Sequence, residues 1–293
     1  VEVSLVATAG PGSILDLLEE ALAAHGERLR ALAARAGDGG DADLVHDVRV
    51  ALRRLEALAR LFRGIPGKGD GDEARAAAQA LRRRLSLLRS EEVGRELLAV
   101  RAGEEAARLE LLVFPEALPA VRVGRGEVEA VEKVLARWRR RLASALEGAF
   151  APRAGTRDVL LRRTRRRLRR RLSQLSDLLP PGRRTLHAAR IAAKRLRYAL
   201  EIVEPLEPGA RPLLRLLRSF QDEAGDAHDL VELAARVRGA AGAGSAPDAR
   251  LATLALELEE SAARALASAR RRGGILAGPV GRLRPALGTA ESR

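Results

Sequence analysis

Leu, Val and Ala recur at spacings of three and four along most of this chain, which is the pattern of amphipathic helices rather than of strands. Leu17, Leu18, Ala21, Leu22, Leu29 and Leu32 predict a helix over 13–35, opened by Ser13 with Asp16 three residues on. A glycine-rich break follows, and Asp43 caps a second helix that reaches about residue 63. After the turn GIPGKGDGD from Gly64, helices are predicted over 72–89 and from Ser90-Glu91-Glu92 towards residue 112. Residues 114–126 hold two prolines and two glycines and mark the join between two halves. Beyond them the pattern predicts helices over 127–150, 157–179, 185–204, 212–223, 226–237 and 249–271, with Gly225 as a break. The resulting segments are a tail over 1–12, β-branched in VEVSLVATA and a candidate remnant of an upstream domain, a first helical half over 13–125, a second over 126–272, and a flexible Gly- and Pro-rich tail over 273–293.

Two of the predicted helices carry one motif. LVHDVRVALRRLEALAR over 44–60 aligns with TLHAARIAAKRLRYALE over 185–201 when His46 is laid on His187, which pairs Arg49 with Arg190, Arg53 with Lys194 and Arg54 with Arg195. Positions i, i+3 and i+7 of a helix fall within roughly 60° of one another. Each copy therefore presents its His, its first Arg and its next cation as a stripe along about two turns. Val45, Val48, Leu52 and Leu55 in one copy, and Leu186, Ile191, Leu196 and Leu200 in the other, supply apolar faces that dock the helices.

Composition narrows the class. Apolar residues make up 46% of the 293 but aromatics only 2%, so the core is built from Ala, Leu and Val, which suits an all-α fold. The absence of Cys excludes disulfides, thiolate metal sites and Cys nucleophiles. No apolar run is long enough to span a membrane and no charged-then-apolar leader opens the chain, so the expected address is the cytoplasm with no membrane partner. Met is absent even at position 1, which points to residues missing upstream.

The net charge of +14 is localised: 151–200 holds 16 Arg plus Lys against Asp158 and Asp177, and the rest of the chain balances at 37 of each sign. Except for Lys68, Lys133 and Lys194 the cations are all Arg, whose planar fork pairs bidentately with phosphate. No acid occurs between Arg183 and Arg197, so the second stripe is expected to lack a carboxylate partner within its own helix.

HDVRVALRRL from His46, HAARIAAKRLRYALE from His187 and LLRSFQDEAGDAHDLVEL from Leu216 together resemble the CHAD domain, over about 13–271. The resemblance implies an all-α fold of two pseudo-symmetric four-helix units, an internal duplication, around a basic central cavity that binds inorganic polyphosphate, with polyphosphate granules as a cellular address. It also implies a frequent companion, a triphosphate-tunnel domain, whose Glu-x-Glu-x-Lys signature is not seen in Val1-Glu2-Val3-Ser4. Two departures stand out. Glu56 sits where the second copy has Arg197, and the family's Gly-x-x-Arg-Asp pattern is degraded to LLRSEEV from Leu87. The first half is therefore expected to bind more weakly, or Glu56 to pair with a nearby Arg.

A polyphosphate, phosphate or sulfate ligand needs charge-assisted donors along a track and little else. The candidates are His46, Arg49 and Arg53 with His187, Arg190 and Lys194, flanked by Arg54, Arg195 and Arg197. Tyr198 either adds a hydroxyl or packs as a core aromatic. Arg82, Arg83 and Arg89 on the third helix come next, with Arg215 and Arg218 on its second-half counterpart. Eight arginines in the ten positions 162–171 surround their helix and cannot all face one ligand; Arg165 and Arg169, spaced by four, are the expected contributors. His25 and His228 read as packing or surface residues.

No metal, cofactor or catalytic residue is expected. The histidines lie far apart in sequence without His-x3-His or Glu-x2-His spacing, and no phosphate-binding Gly-x4-Gly-Lys loop appears. Asp222, Glu223, Asp226 and Asp229 read as caps or as partners that orient arginines. The main rival to polyphosphate is sequence-independent binding of an RNA or DNA backbone, which the pI near 11.4 suggests by itself but scarce aromatics oppose. A scaffold carried to granules by partner proteins is a third reading, and the oligomeric state stays open.

Overall fold

The apolar stripes fold as helices. In the computed structural model, which describes residues 14–36, 42–65, 69–85, 89–116, 122–147, 154–182, 184–206, 208–242 and 248–286, the chain is all-α. In order come α1 (Ile14–Arg35), α2 (Ala42–Leu61), α3 (Asp70–Arg84), α4 (Arg89–Ala102), α5 (Ala106–Val113), α6 (Arg125–Glu147), α7 (Ala154–Ser176), α8 (Leu186–Val203), α9 (Arg211–Gly242) and α10 (Ala249–Ala286). Among the described residues no strand occurs, and no helix is long and apolar enough to cross a membrane. The expected N-terminal tail over 1–12 lies outside the described residues, as do 287–293.

Packing divides the helices differently from the halves expected at residue 125. Helices α1, α2, α3 and α6 pack on one another, and α7, α8, α9 and α10 form a second set, with α2 meeting α8 where the sets join. One apolar core runs through both sets. Helix α6, expected to open the second half, belongs with α1 and α3 because Val128, Val131, Leu135, Trp138 and Leu142 bury there. Trp138 is wholly buried, and its indole Nε1 donates to the Ile65 carbonyl at 2.8 Å, which satisfies the one polar atom it takes inside. Helices α4 and α5, expected in the first half, rest instead on α9 and α10 through a separate core that joins Leu98, Leu109 and Phe114 to Leu233, Val237 and Leu254.

Three glycines account for the misplaced helix ends. Gly103 takes a left-handed backbone (φ 57°) and breaks the single helix expected from residue 90 into α4 and α5. Gly225, expected as a break, lies inside the continuous α9. A glycine in a helix costs about 1 kcal/mol, whereas each fully buried Leu or Phe contributes about 2 kcal/mol, and Leu217, Phe220 and Val237 are fully buried along α9. The flexible tail expected over 273–293 is corrected over 273–286, where α10 continues to Ala286, and the remainder lies outside the described residues. Leu276 and Val280 are fully buried in the main core. Gly273 packs so closely on the segment after α7 that a Cβ would stand 2.5 Å from Pro181 Cδ. What reads as a helix breaker is a contact point.

Candidate functional site

The two motif helices meet face to face, and their cations meet with them. From α2, Arg49 is buried and Arg53 half-buried; from α8, Arg190 and Lys194 are half-buried. The charges acting on the Lys194 ammonium are those of Arg53, Arg190, Arg197 and Arg49. Burial first, and then this surrounding positive charge, push Lys194 down to about 7. Burial also lowers Arg53, which is repelled by Arg82 and Arg190 and hydrogen-bonds the Tyr198 hydroxyl.

A cavity of about 240 Å³ opens beside this cluster. Helix α2 lines it with Arg53, Glu56 and Arg60, and α3 with Arg82; Arg171 of α7 and Ile191, Lys194, Arg195 and Tyr198 of α8 complete it. Six cations thus face one carboxylate. That carboxylate, Glu56, is buried and pairs with Arg82 and with Arg60 at 3.2 Å, the pairing that its departure from the motif suggested. Arg171 donates from Nη1 to the Arg195 carbonyl at 2.9 Å, and burial with repulsion from Arg60 and Arg195 brings it down to about 10.

A second, larger cleft of about 770 Å³ adjoins the first, since Tyr198 lines both. It lies among α1, α2, α8 and α9, and it receives Arg54, Arg215 and Arg218. Here the expectation of an unpaired second stripe is corrected at one position. Glu201, one turn beyond the acid-free stretch, pairs with Arg197 at 3.2 Å, Arg218 at 3.2 Å and Arg54 at 3.9 Å. Arg197 also lies over the Tyr198 ring, 4.6 Å from its centroid.

Other expected residues lie outside both cavities. His46, Arg49, Arg83, His187, Arg190 and Arg197 line neither, and the side chain of Arg89 lies outside those described. Arg165 and Arg169 line neither cavity and hold interactions of their own. On α7 the cavity-lining residue is Arg171, while Arg167 donates to the Leu61 and Arg63 carbonyls at 2.6 and 2.9 Å and so caps the end of α2. Spacing by four holds for 165 and 169 and equally for 167 and 171, which a two-residue step puts about 160° away. Nothing in the local pattern separates the two pairs. Arg60 was legible, since it continues the stripe one heptad past Arg53.

His187 faces another histidine. Its ring centroid is 4.7 Å from that of His228, and burial, His228 and Arg190 lower its pKa. Among the described residues, His228, Asp229 and Glu232 have ligand atoms within 4.8 Å of one another, the donor types for a divalent cation. The Arg190 guanidinium acts on Asp229 at the same place and opposes such a cation, while burial, the larger effect, raises Asp229. The His-Asp-x2-Glu run on α9 was the sequence signal for this group.

The model of the CHAD domain family matches residues 20–238, and the chain belongs to that family. It is similar to the crystal structure of the CHAD domain from the plant Ricinus communis, with a TM-score of 0.47 and 20% identity over 99% of this chain and 96% of that one. Among curated proteins, none matches it.

Proposed function

We propose that this CHAD-family chain binds inorganic polyphosphate, without catalysis, in the cavity between α2, α3, α7 and α8. The observation that carries the reading is the lining of that cavity, where Arg53, Arg60, Arg82, Arg171, Lys194 and Arg195 meet from four helices around a single carboxylate. Like charges held together out of water are costly unless an anion joins them. Polyphosphate offers a repeating negative charge that matches donors supplied from several helices, and the arginine forks pair bidentately with it. The one carboxylate in the cavity is held by Arg60 and Arg82. In a cell the proposed ligand directs the protein to polyphosphate granules in the cytoplasm.

Nucleic acid is the weaker fit. Every described aromatic side chain except the histidines is buried, Tyr198 included, so no ring is offered for a base to stack on. The test is a titration of long-chain polyphosphate against tRNA and duplex DNA at physiological salt. The proposal expects polyphosphate to bind far more tightly; equal affinity for either nucleic acid overturns it.

A further inference from the structure

The two adjoining cavities differ sharply in charge. The smaller has six cations against Glu56 alone, whereas the larger has four arginines against Glu20, Glu201 and Glu204. The larger is three times the volume of the smaller, and its wall includes Leu17, Ala21, Ile202, Pro205 and Leu214. Arg211 there is matched by Glu204, and Arg54 and Arg218 by Glu201, so its cations are already largely neutralised. A linear polyphosphate is uniformly charged and has no use for an apolar, nearly neutral chamber.

We infer that the pair of cavities is a site for a nucleoside polyphosphate, with the phosphates in the smaller cavity and the nucleoside in the larger cleft. The ligand's charge is segregated as the site's is. Its base covers the apolar wall, and its ribose hydroxyls and exocyclic groups meet Glu20 and Glu201. The Nε2 of His25, a residue on the wall of this cleft, is buried without a hydrogen-bond partner. Tyr198 stands at the junction, bonded to Arg53 on the phosphate side. The inference rests on the reading of the smaller cavity as a phosphate site.

Calorimetric titration of ATP and of tripolyphosphate, both in EDTA, tests it. ATP carries no more phosphate charge than tripolyphosphate, so any advantage it shows comes from the nucleoside. The expected result is ATP binding about tenfold more tightly, from burial of the base. Ala24→Trp, at an exposed position of α1 on the wall of the cleft, should remove that advantage and leave tripolyphosphate affinity unchanged, which also reports an intact fold. Equal affinities in the parent protein, or an ATP advantage that survives Ala24→Trp, overturn the inference and leave the polyphosphate reading standing. Failure of both ligands to bind overturns the polyphosphate reading and this inference with it.

Discussion

Glu56 on α2 and Arg197 on α8 hold the same register of the aligned motif with opposite charge. Glu56 pairs with Arg60 one turn on, and Arg197 with Glu201 one turn on, each at 3.2 Å, so one ion pair is kept with its polarity reversed. Each carboxylate also takes an arginine from the next helix of its set, Arg82 of α3 or Arg218 of α9. Each cavity therefore carries a carboxylate that holds arginines from more than one helix.

Glu56→Gln leaves Arg60 and Arg82 facing the cations around Lys194 without their counter-charge. Loss of one member of a buried pair should destabilise the unliganded protein by about 3 kcal/mol. Saturating polyphosphate should recover most of the deficit, because phosphate takes the place of the carboxylate. Urea unfolding with and without polyphosphate measures both; a deficit that polyphosphate does not reduce means that the ligand does not reach Glu56.

Lys194 gives a pH dependence of known sign. Its ammonium titrates near 7 in the folded protein against an ordinary 10.5. Between those values the unfolded chain binds more protons, so the stability of the unliganded protein rises with pH from about 7 towards 10.5. A bound polyanion favours the charged amine, so polyphosphate affinity should fall as pH rises from 7 to 9. Lys194→Met should flatten both trends in unfolding and binding series; trends that persist in this variant assign them to another group.

The arginine run on α7 gives a test of geometry. Arg171→Ala should weaken polyphosphate binding about tenfold, the cost of one charge-assisted contact. Arg165→Ala and Arg169→Ala should change it less than about twofold, as neither lines the cavity. Binding isotherms of the three variants decide the matter, and equal losses would mean that the run attracts anions as a general charge.

Gly273→Ala should destabilise by about 2 kcal/mol, the usual cost of overpacking, because its Cβ would press on Pro181. Thermal melts measure it. An unchanged melting temperature would show that α10 does not dock there.

The all-α class and the stripes on α2 and α8 were legible because helical periodicity is local, and the chain repeats it with few aromatics. Decisions made by distant partners were not legible. Gly225 and Gly273 read as breakers until Phe220, Leu276 and Val280 bury beside them. The choice of Arg171 over Arg165 depends on how α7 is rotated against α8, which eight arginines in ten positions conceal. Helix α6 follows the chain break at 114–126 yet packs with α1 and α3, since burial of Trp138 outweighs sequence order.

The central claim is that the cations shared by α2 and α8, and not the overall charge of +14, bind polyphosphate. The most direct measurement compares the triple variant Arg53→Ala, Lys194→Ala, Arg195→Ala, three cations that line the cavity, with a control of equal charge, Arg83→Ala, Arg165→Ala, Arg169→Ala, each checked by thermal melting. Affinity should fall by about a hundredfold or more in the first and about twofold in the second. Equal losses in the two folded variants would contradict it.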